Sequence, residues 1–257
     1  IVFLFFISKV TAVALIAFSS SIFLLSYMFV HGAKKIFIYI GILACVIVFV
    51  ITQTLHHQNN AIVFIGVIYI VCRQIHYLVE VLKANNLPCN YYQYLRYQCF
   101  LPCLIAGPIH RVDDFEKAIR RRKVEFINIS NGMERVVWGH FKIIFITNTL
   151  IKFIEINYLN ADFLGSINPI INSFVDWLKL YLIFSGFSDI AIGFALVLGI
   201  KLKENFIFPF LSLNINEFWQ RWHISLSTWC KDYVFTPTLA MTRSFLIATI
   251  VSMIIIG

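Results

Sequence analysis

Three groups of polar residues stand in apolar sequence where they could do chemistry. The first surrounds His223, with Gln220 three positions before it and Ser227 four after it. On a helix these side chains lie within reach of one another. A neutral imidazole can take a proton from an alcohol and hand it on, as acyl transfer to a hydroxyl requires. His223 is therefore the candidate catalytic residue, although a lone histidine in a helix at the bilayer boundary also has a purely structural reading. The second group is Tyr181, Ser185, Ser188 and Asp189. A carboxylate in such a run must be paired, protonated or wet, so Asp189 is either a site residue or the partner of a cation such as Arg221 or Arg73. The third is Arg73, His76, Glu80 and Lys83, whose offsets of three, four and three put them on one helical face. Either that face lines a bundle interior or cavity, or the helix ends near Arg73 and its charges sit in the interface.

The element that must position His223 covers residues 214–233. Ile215, Phe218, Trp219, Trp222, Leu226, Trp229, Cys230 and Tyr233 recur at spacings of three and four and form one apolar, mostly aromatic face. Asn216, Gln220, His223, Ser227 and Lys231 make a second stripe at the same period. The spacing predicts one amphipathic helix, capped by Asn214 with Glu217 reaching back to it, and its aromatic content suits the bilayer boundary.

The rest of the chain supplies apolar blocks. Of its 257 residues 60% are hydrophobic and 13% charged, against about half and a quarter in soluble domains. Residues 11–30 and 36–70 contain no Asp, Glu, Lys or Arg, and a spanning helix needs roughly 20 mostly apolar residues. The reading is an all-α, polytopic membrane protein of one domain. Its spans are 10–30, 36–51, 61–81, 136–153 and 170–200, the last kinked at Ser185-Gly186, and a further span begins at 245. Residues 52–60 read as a polar loop and 85–97 as a polar, aromatic connection. Residues 100–109, with two prolines and a glycine, read as a re-entrant or interfacial element. The charged stretch 111–123 reads as a cytoplasmic connection.

The net charge of +8 is concentrated in short clusters between apolar blocks, such as Lys34-Lys35 and Arg120-Arg121-Arg122-Lys123. That is the positive-inside pattern, so no nucleic-acid partner is expected. None of the six cysteines (Cys45, Cys72, Cys89, Cys99, Cys103 and Cys230) forms a CxxC pair, which indicates neither a zinc site nor a disulfide framework. The chain begins at Ile1 without Met and ends at Gly257 inside an apolar run, and both ends read as cuts through a longer protein.

Residues 204–233, ENFIFPFLSLNINEFWQRWHISLSTWCKDY, closely resemble the membrane-bound O-acyltransferase (MBOAT) family, in particular its bacterial branch of alginate O-acetylases, peptidoglycan O-acetylases and D-alanyl transfer proteins. LIAGPIHRVDDF at 104–115, YLIFSGFSDIAIGFALVLGIKLKENF at 181–206 and GMERVVWGHFKIIFITNTL at 132–150 extend the resemblance over residues 61 to 257. The resemblance implies a ring of tilted transmembrane helices around a funnel-like cavity, with short re-entrant and interfacial helices, in a bacterial inner or plasma membrane. It implies transfer of a short acyl group, acetyl foremost, from a cytoplasmic thioester donor (acyl-CoA or an acyl carrier protein) to a hydroxyl of a cell-envelope glycan. No tightly bound cofactor or metal is implied; the partners are membrane lipid, the acyl donor and an extracytoplasmic accessory acyltransferase.

His223 matches the histidine of the family's RWHxSLS motif. The substrate-binding residues expected around it are Arg73, Tyr181, Ser185 and Asp189, together with Trp219, Arg221, Trp222, Ser225 and Ser227. The principal catalytic histidine of the family lies in a Trp-His-Gly motif in the next span. SMIIIG, ending at Gly257, looks like its lead-in, so the chain by itself is expected to be incompetent. Ile183 stands where the family often has Asp, Ile207 and Phe208 where it has polar residues, and Pro237-Thr238-Leu239-Ala240 where the alginate branch has Pro-Leu-Gly-Gly. These departures bear on the substrate. A polytopic glycan or lipid transporter and an inactive membrane scaffold are the rival readings.

Overall fold

Long apolar segments satisfy their backbone polar groups most simply by closing them into helices. The computed structural model describes residues 9–58, 66–104, 106–154 and 168–256; among these every regular element is helical. The chain packs as two compact units, one of Ile1–Ile105, Ile109–Arg121 and His223–Gly257, the other of Ala106–Pro108 and Arg122–Trp222.

In the first unit α1 (Lys9–Val30), α2 (Ile36–Gln58) and α3 (Val67–Ala84) pack on one another. Buried Gln74 ties all three. Its amide donates to Ser19 Oγ at 3.1 Å, and its oxygen accepts from the Cys45 thiol at 3.4 Å. The polar stretch expected as a loop from residue 52 is helical as far as Gln58, with the Thr52 and Thr54 hydroxyls donating back to helix carbonyls at 2.8 Å. Residues 61–65 of the expected third span lie outside the described residues. From Val67 the helix continues past Arg73 to Ala84 and stops on Asn85 in a left-handed conformation, so it does not end near Arg73. Inside the aromatic connection, α4 (Tyr91–Gln98) starts on a reciprocal capping box, Asn90 and Gln93 each accepting at 3.0 Å. A 3₁₀ turn, Leu101–Cys103, then leads toward α5 (Val112–Arg120). Arg96 holds both carboxylate oxygens of Glu116, at 2.8 and 2.7 Å.

The second unit is built on two helices. α6 (Phe126–His140) runs without a cap into a π-helix, Phe141–Ile151, and a last turn, Lys152–Ile154. The wider turn lets Thr147 and Thr149 donate to carbonyls five residues back, at 2.9 and 3.0 Å. α7 (Asn168–Val197) crosses this rod in the antiparallel sense, Gly132 facing Gly193 and Gly139 facing Gly186. A Cβ on Gly139 would stand 2.6 Å from the Gly186 carbonyl oxygen, and one on Gly193 2.6 Å from that of Gly132. α7 is unbroken through Ser185 and Gly186. Gly186 lies where the two backbones approach closely. We predict that Gly139→Leu and Gly193→Leu each destabilise the protein by about 1–3 kcal/mol through overpacking. Unfolding temperature in detergent reads this, and wild-type values would contradict the crossing. A 3₁₀ turn, Pro209–Leu211, precedes α8 (Ile215–Arg221).

The chain re-enters the first unit through α9 (Ile224–Cys230), a π-turn Lys231–Phe235, α10 (Thr236–Thr242) and α11 (Phe245–Ile256). Two described helices are long and apolar enough to cross a bilayer, Val13–Val30 within α1 and Pro169–Val197 within α7, while Ile36–Thr52 and Phe245–Ile255 are shorter apolar helices. The described parts of 61–81 and 136–153 are not among them.

Candidate active site

The expected single helix over 214–233 is two short helices. α8 ends at Arg221, Trp222 is extended (φ −94°, ψ 123°), and His223 is left-handed (φ 40°, ψ 55°) before α9 begins. A continuous three-and-four spacing does not register such a break, so the stripe of Gln220, His223 and Ser227 is not one helix face. The Asn214 cap is present, accepting from the Glu217 N–H at 2.9 Å, but the Glu217 carboxylate reaches Leu213 N–H at 2.8 Å rather than Asn214. Left-handed backbone costs a side chain with a Cβ roughly 1–2 kcal/mol, and a non-glycine residue held there is a recognised mark of functional sites.

In the first unit, His223 is 7% exposed and its ring lies nearly parallel to Tyr69 of α3, centroids 6.4 Å apart. Its carbonyl accepts the Ser227 N–H at 3.0 Å and so starts α9. Three ties fix α9 and the turn after it. Ser225 Oγ accepts from Ile109 N–H at 2.9 Å, and Trp229 Nε1 donates to the Cys72 carbonyl at 2.9 Å. Beyond them His76 Nδ1 meets the Tyr233 hydroxyl at 2.5 Å. His76 Nε2 accepts from Val112 N–H at 3.1 Å, so the neutral ring carries its proton on Nδ1 and donates it to Tyr233. The Tyr233 hydroxyl in turn donates to Glu80 at 3.4 Å, and Arg111 pairs with Asp232. The polar face of α3 thus meets the bundle interior at Arg73 and His76, while Glu80 and Lys83 reach a more exposed rim. Arg73 is fully buried; its Nε donates to the Tyr69 carbonyl at 3.2 Å, and among the described residues its two terminal nitrogens have no hydrogen-bond partner.

His223 lies outside the apolar helices, and burial lowers its imidazole from the ordinary 6.5 to about 4, with a hydrogen bond to its own backbone acting the other way. The folded ring is therefore neutral at physiological pH. Between about 4 and 6.5 the unfolded chain binds a proton that the folded chain refuses, so this stabilisation is complete above 6.5 and is lost as pH falls toward 4. We predict that the His223 resonance in histidine-labelled protein does not move between about pH 5.5 and 8. A midpoint near 6.5 would mean that the ring is solvated.

The second unit holds Tyr181, Ser185, Asp189, Trp219, Arg221 and Trp222. Asp189 is fully partnered: Oδ1 accepts from Arg135 Nε at 3.0 Å and Oδ2 from Lys142 Nζ at 2.5 Å. Its partners are therefore Arg135 and Lys142, not Arg221, which pairs with Glu217 on its own helix, and not Arg73. Arg135 also grips Glu204, through Nη1 at 2.6 Å and through Nη2. Ser188 Oγ accepts from buried Asn205 at 3.2 Å, and the Ser185 hydroxyl turns to the Leu182 carbonyl at 3.5 Å. Trp222 is the centre of an aromatic cluster, with Trp177 at 5.5 Å, Phe206 at 5.4 Å, Phe218 at 5.5 Å and Tyr181 at 6.0 Å between ring centroids. Trp219 packs on Phe218 at 5.4 Å. The geometry supports a structural role for Asp189 and an apolar wall around Trp222.

Sequence reasoning missed Tyr69, Arg135 and Lys142, and the tie between His76 and Tyr233. Arg135 and Gly139 on α6 and Lys142 at the start of the π-helix that follows fall at offsets of four and three; that stripe of cations around a glycine was the available signal for the partners of Asp189.

The family model for the membrane-bound O-acyltransferase family matches residues 69–256. Among curated relatives, the chain is 35% identical over 194 residues to a probable alginate O-acetylase AlgI from Pseudomonas syringae pv. tomato, covering 72% of this chain and 36% of that protein. It is 34% identical over 151 residues to a peptidoglycan O-acetyltransferase of Helicobacter pylori, covering 58% and 29%. It is 31% identical over 198 residues to a teichoic acid D-alanyltransferase of Bacillus subtilis, covering 71% and 47%. The chain thus spans between about a third and a half of the length of these relatives.

Proposed function

The chain belongs to the membrane-bound O-acyltransferase family, and from that premise we propose that the whole protein is a multi-pass membrane enzyme that esterifies a cell-envelope polymer. The relatives named for alginate, peptidoglycan and teichoic acid support an acceptor of that class. The donor is a thioester, acyl-CoA or an acyl-carrier protein, and the group moved is short, acetyl foremost. The helices form the family's ring of tilted spans, and an extracytoplasmic acyltransferase completes delivery to the polymer.

The acceptor hydroxyl attacks the thioester carbonyl, the carbonyl oxygen takes the negative charge, and collapse of the intermediate forms the ester and releases a thiolate. The hydroxyl proton passes to a base and then to that thiolate. We place the base in the family's Trp-His-Gly motif and give His223 the second task, donating a hydrogen bond to the developing oxyanion. The observation that carries this role is a neutral, buried imidazole held in a left-handed turn inside the family's RWHxSLS motif. A neutral ring that keeps one N–H can donate without first losing a proton, and a fixed donor need not reorganise during reaction.

The test uses full-length protein in proteoliposomes with a short-chain acyl-CoA and an envelope polymer. Thiol release that depends on acceptor, matched by ester on the polymer, is the expected result. Polymer crossing the bilayer without ester formation would favour the transporter reading instead.

A further inference from the structure

Three residues on one side of α3 hold the segment that carries His223. Tyr69, Cys72 and His76 are spaced by three and four, which places them on one helical face. They meet residues 223–233 in the same order. The Tyr69 ring lies beside His223, the Cys72 carbonyl accepts from Trp229 Nε1 at 2.9 Å, and His76 Nδ1 meets the Tyr233 hydroxyl at 2.5 Å.

His76 is engaged at both ring nitrogens. Val112 opens α5, and the N–H groups of a first turn have no acceptor within their own helix. The preceding residue, Arg111, makes no side-chain cap, and His76 Nε2 accepts the Val112 N–H instead, at 3.1 Å. With that nitrogen filled, Nδ1 carries the proton and points it at Tyr233. One buried ring thus joins the start of α5 to the turn that follows α9. Arg111 and Asp232, each one position before the residues so joined, pair across the same two segments. Neither nitrogen of His76 is open to a reacting hydroxyl, so this histidine holds a segment rather than moving a substrate proton.

We propose that His76 is a positioning residue for His223: through Tyr233 it fixes how far α9 lies along α3, and so where the His223 ring stands. This rests on the role given to His223 above. A donor to an oxyanion acts only where the charge develops, and a misplacement of about 1 Å at a reacting group costs on the order of a hundredfold in rate. The tie therefore acts on turnover and not on substrate binding.

The test uses the full-length protein and two readouts, acyl transfer and the His223 resonance of histidine-labelled protein. Tyr233→Phe removes the hydroxyl but keeps the ring that packs on Trp229 and His76. It should lower kcat about tenfold or more, while KM for acyl-CoA and for polymer stays within about twofold. It should also displace the His223 resonance, although the two residues stand ten positions apart. His76→Leu should do the same. His76→Gln, whose amide can donate to Tyr233 and accept from Val112, should recover much of kcat. Glu80→Gln leaves an acceptor for the Tyr233 hydroxyl and should transfer like wild type. An unmoved His223 resonance in Tyr233→Phe, a raised KM with kcat unchanged, or no rescue by glutamine would each overturn the proposal. So would a loss with Glu80→Gln equal to that of Tyr233→Phe, which would make the chain from His76 to Glu80 a path for protons. If wild type itself transfers no acyl group, the role given to His223 fails, and the resonance alone decides whether His76 sets its place.

Discussion

Replacing His223 by glycine in the full-length protein is expected to lower acyl transfer about a hundredfold or more while leaving the protein folded. The first half follows from the proposed role, since loss of one preorganised donor to an oxyanion costs on the order of 10²–10³ in rate. The second follows from backbone geometry. His223 has φ 40°, where glycine is at no disadvantage. Glycine therefore offsets with backbone relief part of what is lost when the ring leaves Tyr69. Alanine keeps the left-handed strain and should unfold at a lower temperature than glycine, with the same loss of transfer. Asparagine tolerates left-handed backbone and keeps a donor amide, so His223→Asn should retain more transfer than either. Near-normal transfer by the glycine variant would mean that the turn serves packing alone.

The second large effect concerns stability. Asp189→Ala should cost about 3–5 kcal/mol, because removing one partner of a buried pair leaves the other charge uncompensated. Arg135 keeps Glu204, but Lys142 has no other acid in the network. Arg135 and Lys142 are each 27% exposed and Asp189 15%, so water screens the site in part and the lower end of that range applies. The partner prediction is a rescue. Asp189→Asn combined with Lys142→Met removes both members of one pair, and the double variant should unfold above the aspartate variant alone. Chemical unfolding in detergent reads both effects. A change below about 0.5 kcal/mol for Asp189→Ala would show that these charges are solvated.

The two sites were legible in the sequence to different depths. Apolar blocks and the Asn214 cap led to helices that are present, because a run without charges and a side-chain acceptor before a helix act locally. The residues around His223 were legible as a group, but their geometry was not. Histidine carries no sign of left-handed backbone, as glycine or asparagine would, and the aromatic period passes through Trp222 and His223 without interruption. The polar face of α3 was visible from its offsets, yet only the fold shows that His76 meets Tyr233 across 157 positions. Asp189 had to be paired, protonated or wet, and it is paired, with Arg135 and Lys142. The choice among cations could not be made locally, because Arg135 lies 54 positions away and reaches Asp189 only where paired glycines let two backbones touch. Ser185-Gly186 shows the same limit: small residues in a long apolar helix serve a bend or a close crossing, and sequence does not distinguish them.

The proposed acyl transfer to envelope hydroxyls rests on the family to which the chain belongs and on the burial of His223. The most direct measurement is the ester-linked acyl content of envelope polymers in cells carrying the intact gene, in a deletion strain, and in that strain complemented with the wild-type or the His223→Gly gene. The account predicts that ester falls on deletion, returns with the wild-type gene and does not return with His223→Gly. Ester content unchanged by deletion would contradict it.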